Sequence, residues 1–175
     1  MEKIQFEALS PQEVKQLWNN KMPSHESPID IVFYDDIIRM NNIKDLFRRT
    51  NKVIIFYPST PSYGHYCCLC KNDNTIYFFD SYGKKPDTQK DYAEDRNELY
   101  RERENSLIRL LLDSNYVVDY SDHVLQKGRT ATCGRWCLLR CACAGMSNDE
   151  FAKQIKSIAN YNNISEDMTT VKFFH

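Results

Sequence analysis

The sequence lacks any apolar stretch long enough to cross a lipid bilayer. Its longest apolar run is Val53 to Tyr57, and its start, Met-Glu-Lys-Ile-Gln-Phe-Glu, lacks the basic-then-apolar order of a signal peptide. Lys and Arg total 23 against 24 Asp and Glu, which gives a formal net charge of −1. Without an excess of positive charge, there is no general attraction to nucleic acid or to an anionic membrane. We expect a soluble protein that is neither secreted nor membrane-bound.

The seven cysteines do not suggest a set of disulfide pairs. Their number is odd, and they form two groups within segments that predict strand and helix: Cys67, Cys68 and Cys70, then Cys133, Cys137, Cys141 and Cys143. This pattern indicates reduced intracellular thiols. The chain has 175 residues, 42% of them hydrophobic, and no internal repeat, so we expect one compact domain spanning residues 1–175.

Two β-prone runs form the clearest local motif. His65 to Cys70 and Thr75 to Phe79 are joined by Lys71-Asn72-Asp73-Asn74, a turn-rich link that predicts a hairpin. His65 begins the first strand, and Asp80 follows the second. Because the two strands of a hairpin run in opposite directions, both side chains are expected at its open end.

Other segments carry local signals of the same kind. Ser10-Pro11-Gln12-Glu13 and Ser147-Asn148-Asp149-Glu150 are capping boxes, each of which predicts the start of a helix. The remaining predictions are a buried strand from Val53 to Tyr57, a surface loop from Gly83 to Asp95, an amphipathic helix from Arg96 to Asp113, a strand from Tyr116 to Tyr120, a helix from Cys133 to about Ala144 and a polar tail before Val171.

Cys133 is the candidate nucleophile. It stands at the start of a predicted helix, where unpaired N–H groups and the positive end of the helix dipole stabilise a thiolate. Gly134 would let a substrate carbonyl approach the backbone N–H. Simple packing is the alternative for any small cysteine on an apolar helix, and it fits Cys137 and Cys141 better because they lie deeper in that helix.

His65 is the candidate general base, and Asp80 is the acid that would orient it. A structural histidine is the competing interpretation, but the acid expected at the same hairpin end argues against it. His123 is the main competitor for the role of base, although no acid is so evidently arranged for it. Gln126 is the candidate oxyanion donor, since its amide could act beside the backbone N–H of Cys133; the alternative is an ordinary loop glutamine.

Neither cysteine group predicts a metal site by itself. Adjacent strand positions face opposite sides of a sheet, so His65 and the group at 67–70 cannot all converge on one zinc ion. Thiols four residues apart lie along a rising helical stripe, so the group at 133–143 would not enclose an iron–sulfur cluster. We therefore expect no metal and no cofactor.

Three short sequence motifs resemble those of a known family. They are Tyr63-Gly64-His65, Phe78-Phe79-Asp80-Ser81-Tyr82-Gly83-Lys84-Lys85-Pro86 and Thr132-Cys133-Gly134-Arg135-Trp136. Together with the order His, Asp, Gln, Cys, they resemble the adenovirus-type maturation proteases and the related SUMO-deconjugating enzymes. The motifs look most like those of Maverick or Polinton elements, virophages and other double-stranded DNA viruses. The resemblance covers about Ile29 to Ala144.

The resemblance implies both a fold and a set of roles. The fold is α+β, with a central mixed sheet packed between helices and a papain-like core in the adenovirus-protease arrangement. His65 would be the base, Asp80 its orienter, Gln126 the oxyanion donor and Cys133 the nucleophile. Many relatives have Trp directly after the catalytic His, so Tyr66 is expected to form the aromatic wall beside the imidazole.

The implied activity is that of a thiol endopeptidase. It would cleave viral capsid or core precursor proteins at small-residue sites containing glycine, in the virion and at a cytoplasmic or nuclear assembly site of the infected cell. We expect a monomer. The resemblance also suggests that DNA or a short peptide acts as an activator. The near-neutral net charge of the chain gives this suggestion little support. Alternatives are deconjugation of ubiquitin or a ubiquitin-like modifier, acyl transfer from acyl-CoA, and a catalytically dead protease fold used for binding.

Overall fold

The computed structural model describes residues 2–60, 62–89 and 105–175. In these ranges, a mixed five-stranded sheet has the order β1-β2-β3-β4-β5. The strands are β1 Asp30–Phe33, β2 Lys52–Pro58, β3 Gly64–Asn72, β4 Thr75–Phe79 and β5 Val117–Tyr120. The outer pairs, β1 with β2 and β4 with β5, are parallel, and the central pairs are antiparallel.

Helices cover both faces of the sheet. They are α1 Pro11–Lys21, α2 Tyr34–Ile37, α3 Ser106–Leu112, α4 Cys133–Ala142, α5 Asn148–Asn162 and α6 Glu166–Phe173, with 3₁₀ turns at Glu2–Phe6 and Ile43–Asp45. The predicted α+β class, with a mixed sheet between helices, is confirmed. No helix in the described ranges has both the length and the apolar character needed to cross a membrane.

Side-chain alternation along β3 separates two apolar cores. Tyr66, Cys68 and Cys70 face α1, α4 and α5, whereas Cys67 and Leu69 face the core formed with α2 and α3. Strand β2 is buried along its whole length, as its unbroken apolar run predicts. Both faces of the central strands are therefore covered and shielded from water, and α4 packs directly on β3.

The local signals locate most of the elements correctly. Both capping boxes are present, with Ser10 accepting from Glu13 N–H and Ser147 from Glu150 N–H. The predicted hairpin forms from β3 and β4, and α4 begins at Cys133 as expected, but it ends two residues before Ala144.

Two less regular segments contain more structure than the sequence indicates. The tail predicted as merely polar contains α6, which Ser165 caps by accepting from Met168 N–H. The loop after Gly83 is not simply a surface loop, because Asp87 and Gln89 are buried in it. Asp87 accepts hydrogen bonds from the first N–H groups of α3, which explains why a charged residue is buried there. The predicted segment 90–104 lies outside the described residues.

Candidate active site

Cys133 is the first residue of α4, and its side chain is half-buried at the edge of a cleft. The first N–H groups of a helix have no acceptor within the helix, so they point toward the space in front of Cys133. Thr132 precedes the helix but does not cap it with its side chain; its hydroxyl donates to Asp167 instead. The backbone donors beside the thiol are thus left available to a ligand.

His65 and Asp80 meet at the open end of the β3–β4 hairpin, as predicted. The two atoms His65 Nε2 and Asp80 Oδ2 are 2.7 Å apart, and both side chains are buried. Nδ1 is the ring nitrogen left for Cys133, with which His65 also hydrogen-bonds. The imidazole therefore bridges the carboxylate and the thiol.

The charge state of His65 follows from these two neighbours. Burial by itself lowers the pKa of His65, but the hydrogen bonds to Asp80 and Cys133 and the negative charges on both raise it to about 10. The ring is consequently an imidazolium at neutral pH. A cation held against a sulfur atom is the arrangement that keeps a cysteine nucleophilic.

Asp80 is held in position by two further hydrogen bonds, and His65 by a stacked ring. Its Oδ2 also accepts from Gln89 Nε2 at 2.8 Å, and its Oδ1 accepts from the backbone N–H of Tyr82 at 2.7 Å. The ring of Tyr82 stacks on the imidazole of His65, with centroids 5.4 Å apart. Asp80 is fully buried and fully bonded, so it fixes the orientation of the His65 ring.

Gln126 lies on the same cleft as Cys133 and His65. Its Oε1 accepts from Ser81 Oγ at 2.6 Å, which fixes the amide so that Nε2 is the group available as donor. One Nε2 hydrogen goes to Thr130 O at 2.8 Å, leaving the second for a ligand. Ser81 directly follows Asp80, so one short segment orients both the base and the amide donor.

The cleft has a volume of about 720 Å³ and is open along one side. Its lining includes a thiol, an imidazole, an amide, aromatic rings and small residues: Ala8, Ser59, Tyr63, Gly64, His65, Tyr82, Lys84, Val124, Gln126, Gly128, Thr130, Ala131 and Cys133. Of the four predicted site residues, His65, Gln126 and Cys133 line the cleft, and Asp80 lies behind His65. Such a cleft is large enough to hold an extended segment of polypeptide.

Two expectations about neighbouring residues need correction, and the competing histidine lies outside the cleft. Gly134 does not open toward a substrate: a Cβ on it would lie 3.1 Å from Val14 Cγ2 and 3.4 Å from Tyr66 Cδ2, so glycine permits close packing of α4 on α1 and β3. The ring stacked on His65 is Tyr82, while Tyr66 directs its hydroxyl to Leu9 O at 2.8 Å. His123 pairs with Asp149 at the surface, 2.7 Å away, and does not line the cleft.

Asp167 is a site residue that the sequence did not reveal. It is fully buried on α6, and its carboxylate accepts from Thr132 Oγ1, Trp136 Nε1 and the backbone N–H of Lys127. It thereby joins the first turn of α4 to the loop that carries Gln126. Ser81, Tyr82 and Gln89 were also missed as contacts of the site; the only sequence signal for the first two was their place in the Asp-Ser-Tyr-Gly phrase.

Comparison with known proteins identifies a viral relative. No protein-family model matches the chain. The chain is similar to the ChlaDub1 structure from Chlamydia trachomatis with a TM-score of 0.36 and 13% identity, over 89% of this chain and 92% of that one. It is 32% identical over 167 residues to uncharacterized protein V9 of Sputnik virophage, covering 91% of this chain and 90% of V9. The chain therefore belongs to the protein family that includes V9 of Sputnik virophage.

Proposed function

We propose that the protein is a cysteine endopeptidase that matures viral precursor proteins. The observation that carries this proposal is the hydrogen-bonded series Asp80–His65–Cys133, located at a cleft that Gln126 also lines. Its viral relative supports a role in the viral life cycle. We further propose that the substrates are capsid or core proteins, cut at glycine-containing sites where virions assemble.

The geometry supports a specific sequence of steps. Cys133 Sγ attacks the carbon of the scissile carbonyl. As the sulfur–carbon bond forms, the carbonyl oxygen takes the electron pair of the double bond and becomes an oxyanion, which the Cys133 N–H and Gln126 Nε2 stabilise. The His65 imidazolium then donates its proton to the leaving amine as the carbon–nitrogen bond breaks. Water attacks the resulting thioester, with neutral His65 as base, and releases the carboxylate product and the thiol.

The proposal is tested by following new protein termini. The capsid and core proteins of the parent virus are incubated with wild-type enzyme, with Cys133→Ala, and with Cys143→Ala as control, because Cys143 is also half-buried but does not line the cleft. Mass spectrometry should find defined new termini with wild type and Cys143→Ala, and none with Cys133→Ala. Undiminished cleavage by Cys133→Ala would remove the mechanism.

The same proteins distinguish precursor cleavage from deconjugation of a modifier. Ubiquitin or a ubiquitin-like protein carrying a C-terminal electrophile is added to wild type and to Cys133→Ala. Covalent capture that requires Cys133, together with no cleavage of any viral precursor, would replace the proposed substrate class with protein modifiers. Precursor cleavage without such capture is the result we expect.

A further inference from the structure

Four buried cysteines of the two groups meet where α4 packs on β3. Cys68 and Cys70 are two residues apart on β3 and share one face, whereas Cys137 and Cys141 are four residues apart on α4 and also share one face. The sulfur atoms of Cys68, Cys70 and Cys141 all lie within 4.8 Å of one another. Cys137, which interacts with Cys68, lies outside this group of three and is the candidate fourth thiol.

The sulfur spacing suits a single metal ion. Zinc–sulfur bonds of about 2.3 Å place the sulfurs of a tetrahedral site about 3.8 Å apart, within the observed limit of 4.8 Å. Thiolates are soft ligands that favour zinc, copper(I) and iron–sulfur clusters. An iron–sulfur cluster would separate its ligands farther than one ion does. With Cys137 as the fourth ligand, the set matches zinc better than copper(I), which is satisfied by fewer thiols.

The surroundings of the cluster supply positive charge. Arg140 is fully buried, and in the described ranges its guanidinium donates to Asn148 Oδ1, Cys143 O and Met146 O, with no carboxylate among its partners. Cys70 lies beside this residue, with its Sγ 3.9 Å from Arg140 O. A buried cation needs a nearby anion, and a zinc–thiolate centre carries net negative charge.

We propose that Cys68, Cys70 and Cys141 bind one structural zinc ion that fixes α4 to β3, with Cys137 moving closer to complete the four ligands. These two elements also carry the candidate catalytic pair: Cys68 lies three residues beyond His65, and Cys137 lies four beyond Cys133. From within the core, the ion would thus fix the position of the Cys133 sulfur relative to the His65 imidazole. The proposal does not depend on the chain being a protease.

The test measures metal directly in the full chain. Protein is purified under reducing conditions without chelator, supplied with zinc, freed of excess ion and analysed by mass spectrometry of the elements. About one zinc per chain is expected for wild type. Cobalt(II) in place of zinc should give the intense visible bands of a tetrahedral thiolate site, a measurement that needs no variant.

Three variants distinguish this site from its neighbours. Cys70→Ala should lower the zinc content about tenfold or more, whereas Cys67→Ala should retain it, because Cys67 is equally buried on the same strand but faces the opposite core. Cys133→Ala should also retain zinc. If Cys70→Ala does not fold, Cys141→Ser replaces it.

Several results would overturn the proposal. They are the absence of zinc from reconstituted wild type, equal zinc in Cys70→Ala and Cys67→Ala, loss of zinc in Cys133→Ala, or binding of copper or iron in preference to zinc. A cobalt spectrum without thiolate charge-transfer bands would do the same. Each of these outcomes is independent of proteolytic activity.

Discussion

Cys133 and Cys141 lie on the same helix, separated by about two turns or 12 Å. Cys133 is at the exposed end of α4, where it meets an imidazole and an open cleft. Cys141 is fully buried, and its neighbours among the described residues are other thiols and apolar side chains. The comparison shows that helix position and neighbours, rather than residue type, separate the candidate nucleophile from a core thiol.

Removing the charge of Asp80 tests the nucleophilic end most severely. Asp80→Asn keeps the shape of the side chain but loses the carboxylate that stabilises the His65 imidazolium. We expect kcat/KM for a peptide substrate to fall about 10³- to 10⁴-fold, as found when the orienting acid of a catalytic triad is replaced. Asp149→Asn is the matched control, because it removes the other His–Asp pair, at the surface, and should leave the rate unchanged.

The pH dependence of the same variant has a definite sign. In wild type, activity should fall as pH rises through about 10, where His65 loses its proton. Asp80→Asn should move this limb to lower pH. The contribution of His65 to the stability of the fold has the same sign. It is fully present below pH 6.5 and is lost as the pH rises through about 10. An alkaline limb that does not move in Asp80→Asn would contradict the assigned pairing.

Gln126→Ala tests the donor opposite the thiol. Loss of one oxyanion donor costs about 10²- to 10³-fold in kcat, so we expect a fall of this size with little change in KM. Gln154→Ala, at an exposed position on α5, is the control and should be indistinguishable from wild type. Equal kcat values for the two variants would remove Gln126 from the oxyanion site.

Alkylation compares the thiols of α4 and its C-terminal flank within one sample. At pH 7, iodoacetamide should modify Cys133 at least about tenfold faster than Cys143, because burial raises the pKa of Cys143 whereas Cys133 lies beside the His65 imidazole. The thiols of Cys137 and Cys141 should react only after unfolding. Peptide mass spectrometry gives each rate, and faster labelling of Cys143 than of Cys133 would reverse the comparison.

The sequence predicted those features that depend on neighbours along the chain. Capping boxes placed the starts of α1 and α5, and alternation with a turn-rich link placed the hairpin that joins His65 to Asp80. Contacts between distant segments left no such trace. The α6 helix lacks a glutamate or glutamine three residues after its cap, and the thiol cluster combines two cysteine groups that lie far apart along the chain. The contact between the cysteines of β3 and those of α4 depends on how the helix packs on the strand, and the spacing of cysteines along the sequence does not reveal it.

Asp167→Asn tests how far α6 positions the start of α4. An amide in place of the carboxylate turns one acceptor into a donor, so at least one of the Lys127, Thr132 or Trp136 donors loses its partner. We expect a loss of about 1 to 3 kcal/mol in the free energy of unfolding, measured by urea denaturation. The rate should fall less than in the variants above, because Asp167 contacts neither the cleft nor the reacting atoms. Glu166→Gln, its partly exposed neighbour, should change stability by no more than about 0.5 kcal/mol, and an equal loss in both variants would show that α6 does not hold the helix start through Asp167.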